Sequence, residues 1–287
     1  MATVLRTALG DYLHTAALRS GAIASDLLRL DFADVRPANR AFAPMVREER
    51  FDVCEMAIAT YLQAIAYGKK LVLLPVVMAA RHQEQALVCR RDSPIAGPGD
   101  LRGRRIGVRA YSQTTGLWLR GWLQEAYGIA PDQMRWVTFE DAHVAEFRDP
   151  AWVERREGDP LALLRAAEVD AAVLGNDLPD DPGLRTVFSD LQAAAGAFRE
   201  RHPFVPVNHL VSVRRELALQ RPELVVELMR MFRAAQAGGA VAFPIGRRAL
   251  EPAIALAIRY ADEQAMLPRR VDMASVWAGL PDDPIFQ

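Results

Sequence analysis

Asp100-Leu-Arg-Gly-Arg-Arg-Ile-Gly-Val-Arg-Ala-Tyr-Ser-Gln-Thr-Thr-Gly-Leu-Trp118 is the stretch on which the reading of this 287-residue chain turns. Residues 104–109 read as a short strand with Ile106 and Val108 on one face, followed by a polar turn at residues 111–114. Leu119, Trp122, Leu123 and Ala126 then recur at the i, i+3, i+4, i+7 spacing of an amphipathic helix, which Gly128 is placed to close as a left-handed cap. Ser112 and Thr114 are both residue types that cap helix N-termini. The unit is therefore expected to present backbone N–H groups and the positive end of a helix dipole beyond the strand's carboxyl end. Such an end receives anions, although an ordinary capped helix in an α/β domain reads the same way.

The rest of the chain sets bounds around that unit. A content of 51% hydrophobic and 25% charged residues is that of a globular chain and excludes disordered and fibrous classes. A net charge of −1 supplies no basic field for a phosphate backbone, so no nucleic-acid partner is expected. Cys54 and Cys89 stand in apolar contexts and read as small buried hydrophobes. No set of His, Cys, Asp and Glu has metal-ligand spacing, no Ser sits in a nucleophile elbow and no glycine-rich phosphate loop occurs, so neither a metal nor a cofactor is expected. No run approaches membrane-spanning length, and the first residues lack the basic start, apolar core and cleavage pattern of an export signal. A cytoplasmic location is expected, with a homo-oligomer left open.

Taken in order, strands are expected at residues 3–9, 28–33, 51–53, 71–77, 85–90, 135–138, 169–174 and 207–214. Helices are expected from 55 to 67, from Pro160 to 167, from Pro222 and at about 250–266. Pro44 leaves the start of a helical segment at 36–49 unsettled. The 207–214 strand is read as running beside 85–90 and carrying the chain back. The alternation predicts an α/β fold of two lobes joined by a double-strand hinge around a central cleft. Residues 1–87 with 207–287 form the first lobe and 88–206 the second.

Polar residues gather where these strands end, which is where open α/β sheets collect ligands. Tyr12 and His14 follow the first strand; Tyr111, Ser112, Thr114 and Thr115 follow the central one; Asn176 follows the 169–174 strand, with turn formation as its ordinary role. Arg81 suits a bidentate clamp on a carboxylate, and His82 suits protonation of a carbon or the holding of a hydroxyl. A hinge salt bridge and a capped core histidine are the alternatives for that pair. Glu55 reads as the first residue of a buried helix, capping it through the dipole or meeting a substrate hydroxyl. His209, on the 207–214 strand, is a satisfied structural histidine or a ligand contact. His143 and His202 read as surface residues.

The combination Leu9-Gly-Asp-Tyr12, Phe51-Asp-Val-Cys-Glu-Met56, Arg81-His82, Asp100-Leu-Arg-Gly-Arg-Arg-Ile-Gly-Val108, Tyr111 with Thr114, and Trp118-Leu-Arg-Gly121 resembles the 4,5-dihydroxyphthalate decarboxylase family. The likeness runs from about Leu9 to about Arg233 and includes Val169-Asp-Ala-Ala and Asn208-His-Leu-Val. It implies the type II periplasmic-binding-protein fold and an enzyme that decarboxylates a small hydroxylated aromatic or cyclic carboxylate. His82, His14 and Glu55 are then the expected catalytic groups, and Tyr12, Arg81, Tyr111, Ser112, Thr114, Thr115, Asn176 and His209 the expected substrate contacts. The chain departs from the family pattern at Ala110, where a carboxylate is usual, at Ala57 and at Gln83. Ala110 favours a second reading, a solute-binding protein of an ABC-type transporter that closes on a small carboxylate without chemistry; the lack of an export signal opposes it. A third is a lyase or synthase of the menaquinone-pathway kind on the same fold.

Overall fold

In the computed structural model, which describes residues 2–175, 178–238 and 243–287, strands and helices alternate as the periodicity requires. The chain divides into two units. One comprises Met1–Ala80, Val207–Ala255 and Arg269–Gln287, and the other Arg81–Pro206 and Leu256–Pro268.

The first unit lays down β1 (Thr3–Ala8), β2 (Leu28–Phe32), β3 (Val53–Ala57) and β4 (Leu71–Ala80). The second contributes β5 (Leu87–Arg90), β6 (Arg105–Val108), β7 (Arg135–Thr138), β8 (Val153–Arg155), β9 (Ala171–Val173) and β10 (Leu184–Thr186), after which β11 (Val207–Arg214) belongs to the first unit again. The first sheet has the order β2-β1-β3-β11-β4, with β1 parallel to β2 and β3, and β11 antiparallel to both its neighbours. The second has the order β10-β5-β9-β6-β7-β8, parallel from β9 to β8 and antiparallel at β5.

β11 therefore does not run beside residues 85–90, as the sequence reading expected. Six of its eight residues are buried, which demands a partner on both edges. β3 and the ten-residue β4 provide them, whereas β5 is only four residues long and follows a 3-10 turn. Pro75 lies in β4, the last strand of that sheet, where a missing N–H is tolerated, and the β4–β11 register shifts around it, between Leu210 opposite Val77 and Val211 opposite Leu74. The helix Pro222–Ala237 carries Leu224, Val225, Leu228, Met231, Phe232 and Ala235 into one core with Val72, Leu74, Val76 and Val211, the face its 3.6-residue period requires. Pro44 falls in the first turn of the short helix Phe42–Glu48, where its absent N–H needs no partner.

In the second unit the decisive stretch folds as β6, a turn and the helix Thr114–Tyr127. Gly128 ends that helix in the left-handed region (φ 67°), donating to the Gln124 carbonyl while Ile129 donates to Leu123. Its start differs from expectation: Gln113 is the N-cap residue and makes no side-chain cap bond. Ser112 and Thr114 do not cap, because both side chains are buried in the unit and Thr114 is already helical. Asp159 behaves as the sequence implies, accepting from the Leu161 and Ala162 N–H groups at 2.9 Å ahead of Pro160.

Gly121 marks a close approach within this unit. A Cβ there would lie 2.1 to 2.4 Å from the ring of Tyr260, whose hydroxyl donates to Glu125 at 2.9 Å and whose ring meets the edge of Trp118. The ring is thus held in place and cannot yield. Gly121→Ala is expected to lower stability by about 1–3 kcal/mol, as overpacking of a filled interior does. Urea unfolding monitored by fluorescence checks this; a midpoint shift near zero would show that the Tyr260 contact is not tight.

Candidate functional site

The sheet register of the first unit builds a cluster around Glu55. The residue sits in mid-strand on β3, directly opposite Val211 on β11, so their side chains share a face; His209, two residues from Val211, lies on that face diagonal to Glu55. β1 ends beside Cys54, and the chain turns at Gly10 so that its N–H donates to Glu55 Oε2 at 2.8 Å. Glycine is required at that turn, since a Cβ would lie 2.4 Å from the Tyr12 ring. The Tyr12 hydroxyl donates to Glu55 Oε1 at 2.8 Å, and His209 Nδ1 reaches the same oxygen at 2.6 Å.

Glu55 is fully buried. Burial works to raise its carboxyl, but the bond and charge of His209, with the bonds from Gly10 and Tyr12, outweigh it and hold the group below the usual carboxylate value, so it stays ionised. Tyr12 is pushed far up by burial and by the neighbouring carboxylate, so its proton stays committed to Glu55. With Nδ1 engaged by Glu55, Nε2 is the His209 nitrogen outside that bond, and the side chain keeps 21% of its exposure. His14 stacks on Tyr12, with ring centroids 5.1 Å apart and planes 5° from parallel, and meets the edge of Phe243 at 5.4 Å. It is buried, its Nε2 has no partner, and burial depresses its basicity against the opposing pull of Glu55 and a bond to the Met78 backbone.

This places Glu55 differently from the sequence expectation of a helix start. Pairing with β1 and β11 extends the strand to Ala57, and the helix begins only at Ile58. His209, expected as a structural or binding residue, is bonded through a ring nitrogen to a buried carboxylate. Nothing local in the sequence signals a pair 154 positions apart.

In the second unit Arg81 is half-buried, and its Nη2 donates to Thr115 Oγ1 at 3.4 Å in the first turn of the Thr114–Tyr127 helix. Gly175, left-handed at φ 65° where β9 ends, comes close enough that a Cβ would lie 3.2 Å from the Gln113 amide nitrogen and 4.0 Å from Arg81 Nη2. Arg81, Gln113, Thr115 and the exit of β9 thus surround one polar corner. The first backbone bond of the helix runs from Leu117 N–H to the Gln113 carbonyl, so the amides ahead of it lie outside the helical ladder.

The remaining expected residues are committed elsewhere. Tyr111 belongs to the interior: its hydroxyl donates to the Gln264 carbonyl at 3.2 Å, accepts from Trp152 at 3.0 Å and is pushed up by burial. Arg120, fully buried, sits 3.9 Å from the Tyr111 ring centroid and donates to the Tyr111 carbonyl and to Gln264 Oε1, both at 2.6 Å. Burial lowers it to about 10, and it fixes the turn from inside. The sequence reading quoted Arg120 without giving it a role. Ser112, beside Tyr111, is buried as well. His82, expected as the proton donor, lies 3.4 Å from the Arg199 guanidinium; burial and that cation both push its basicity down, which favours the neutral ring over the imidazolium. His202 is not a surface residue but half-buried, bonded to Glu125 at 2.7 Å, and His143 is half-buried too. Asn176 lies outside the described residues. Among the described residues no group of three or more His, Cys, Asp and Glu could hold a metal ion, and no helix is long and apolar enough to cross a membrane.

Comparison with known proteins agrees with the resemblance read from the motifs. A family model described as NMT1/THI5 like matches residues 31–149. The chain is 28% identical over 254 residues to a 4,5-dihydroxyphthalate decarboxylase of Comamonas testosteroni, covering 81% of this chain and 74% of the relative. It is 28% identical over 206 residues to a protein of the same name from Pseudomonas putida, covering 67% and 79%. The periplasmic aliphatic sulphonate binding protein SsuA from Escherichia coli has a similar structure, with a TM-score of 0.57 at 15% identity over 100% of both chains. A putative periplasmic sulfonate-binding protein SsuA from Methylobacillus flagellatus reaches 0.60 at 12% identity over 96% and 91%. The alkanesulfonate-binding protein SsuA from Xanthomonas axonopodis pv. citri, bound to MOPS, gives 0.52 at 15% identity over 97% and 84%. The fold is the mixed α/β, type II periplasmic-binding-protein fold.

The cluster sets a pH dependence. His14 binds a proton less readily folded than unfolded, and so does Glu55. Each therefore contributes stability that is present above its ordinary value, 6.5 and 4.5 respectively, and lost as pH falls through its folded value. Urea unfolding is expected to show stability falling below pH 6.5, where His82 adds to the loss, and falling again below 4.5. His14→Gln should flatten part of the first decline. A stability that stays constant from pH 6.5 to 5 would contradict these assignments.

Proposed function

We propose that the chain is a carbon–carbon lyase that releases CO2 from a small hydroxylated aromatic or cyclic carboxylate, with 4,5-dihydroxyphthalate, the compound named in its relatives, as the first candidate. One observation carries this reading: a buried, fully hydrogen-bonded carboxylate holds His209 by Nδ1 and leaves Nε2 for proton transfer. A protein that only captures a solute has no need of such a pair. In the reaction, a phenolic oxygen para to the carboxylate pushes electrons into the ring, and His209 Nε2–H gives its proton to the ring carbon that bears the carboxylate. The bond from that carbon to the carboxylate then breaks, its electron pair restores the aromatic ring and CO2 leaves. Glu55 stabilises the positive charge that His209 carries before it gives up the proton, as the buried acid does in other carboxylate–histidine pairs.

Capture of a small carboxylate without chemistry is the second reading. The helix start beside Arg81 and the absence of a carboxylate at Ala110 favour it. Incubation of the purified protein with 4,5-dihydroxyphthalate separates the two. The lyase reading expects CO2 release, with kcat reduced about 10²-fold or more in His209→Asn, the ordinary worth of a positioned acid, and substrate binding largely kept. Tight binding of an unchanged ligand with no CO2 from any hydroxylated aromatic acid would establish the second reading instead.

A further inference from the structure

We propose that His14 Nε2 is the acceptor for a hydroxyl of the ligand, so that the cluster selects a ring carrying a phenolic O–H over the same ring without one. The inference rests on the proposed function for the kind of ring, and on the geometry for the role of His14. A buried polar atom without a partner is uncommon in folded proteins and calls for a reason. His14 Nε2 is such an atom, and the bond from His14 to the Met78 backbone must then use Nδ1. With Nδ1 donating, the neutral ring carries its lone pair on Nε2, which can accept but not give.

The surroundings fix which chemistry can meet it. Glu55 already takes donors from Gly10, Tyr12 and His209, and the Tyr12 hydroxyl is spent on Glu55, whereas His14 Nε2 is a buried nitrogen of this cluster with no partner. An anionic oxygen would put two acceptors face to face close to the Glu55 carboxylate. A neutral hydroxyl donates instead, and the Tyr12 and Phe243 rings packed on His14 make its surroundings aromatic. Sites built to pair a ligand hydroxyl reject the analogue lacking it strongly, because the acceptor is then buried unpaired.

Isothermal titration with 4,5-dihydroxyphthalate, 4,5-dimethoxyphthalate and phthalate tests this on the full chain. The wild type should bind the dihydroxy compound at least about tenfold more tightly than the other two. His14→Phe, which keeps the stack on Tyr12 and removes the acceptor, should bind the dihydroxy compound no better than phthalate, and the three-ligand ranking on the wild type stands as the test should that variant fail to fold. Equal binding of the three ligands by the wild type, binding of none, or an unchanged preference in folded His14→Phe would overturn the proposal. A His14-dependent preference without CO2 release would sink the lyase reading alone, and CO2 release with the preference intact in His14→Phe would sink this inference alone.

Discussion

A carboxylate buried in the middle of a sheet is costly unless every side of it is answered, and Glu55 imposes that demand on three segments far apart in the chain. Gly10 answers from the turn after β1, Tyr12 from the short coil beyond it, and His209 from β11. Each answer constrains its own element. The β1 exit must carry a glycine, Tyr12 must fold back across it, and β11 must enter the sheet next to β3 so that residue 209 falls diagonal to residue 55. A swap of β11 to another neighbour, or a slip of one residue, would strand the charge. The same bond that satisfies the acid also settles the orientation of the histidine.

The second unit is organised around the opposite charge. Arg120 is buried without a carboxylate among its hydrogen-bond partners, and the Tyr111 and Trp136 rings, the Tyr111 carbonyl and Gln264 take its place. Because Gln264 also donates to the Leu117 carbonyl, the turn before the Thr114–Tyr127 helix and the helix itself are tied to the same guanidinium. The polar corner at Arg81 and Thr115 thus stands on a rigid base.

Much of the fold was legible because it is written in local periodicity. The Pro222 helix face, the Gly128 cap and the Asp159-Pro160 start are all short-range patterns, and all appear where the spacing puts them. Three features needed long-range information. Residues 55–57 have the composition of the following helix, and only pairing with β1 and β11 makes them strand. The partner of β11 depends on matching the lengths of buried runs across the chain. The cap expected from Ser112 or Thr114 fails because both side chains are drawn into the interior. The candidate residues divided along the same line: Tyr12, His14, Glu55, Arg81 and Thr115 were singled out from strand ends and motifs. The partner of His209, the buried Glu55, and that of His82, the Arg199 cation, came from side chains that meet only in the folded chain.

The tautomer of His209 is the central claim's most direct observable. In long-range ¹H–¹⁵N spectra of the histidine rings, assigned with His209→Asn, His209 is expected to carry a proton on Nδ1, where Glu55 accepts it. A neutral ring protonated on Nε2 and bare at Nδ1 would mean that Glu55 does not hold it, and the account of the site would fail.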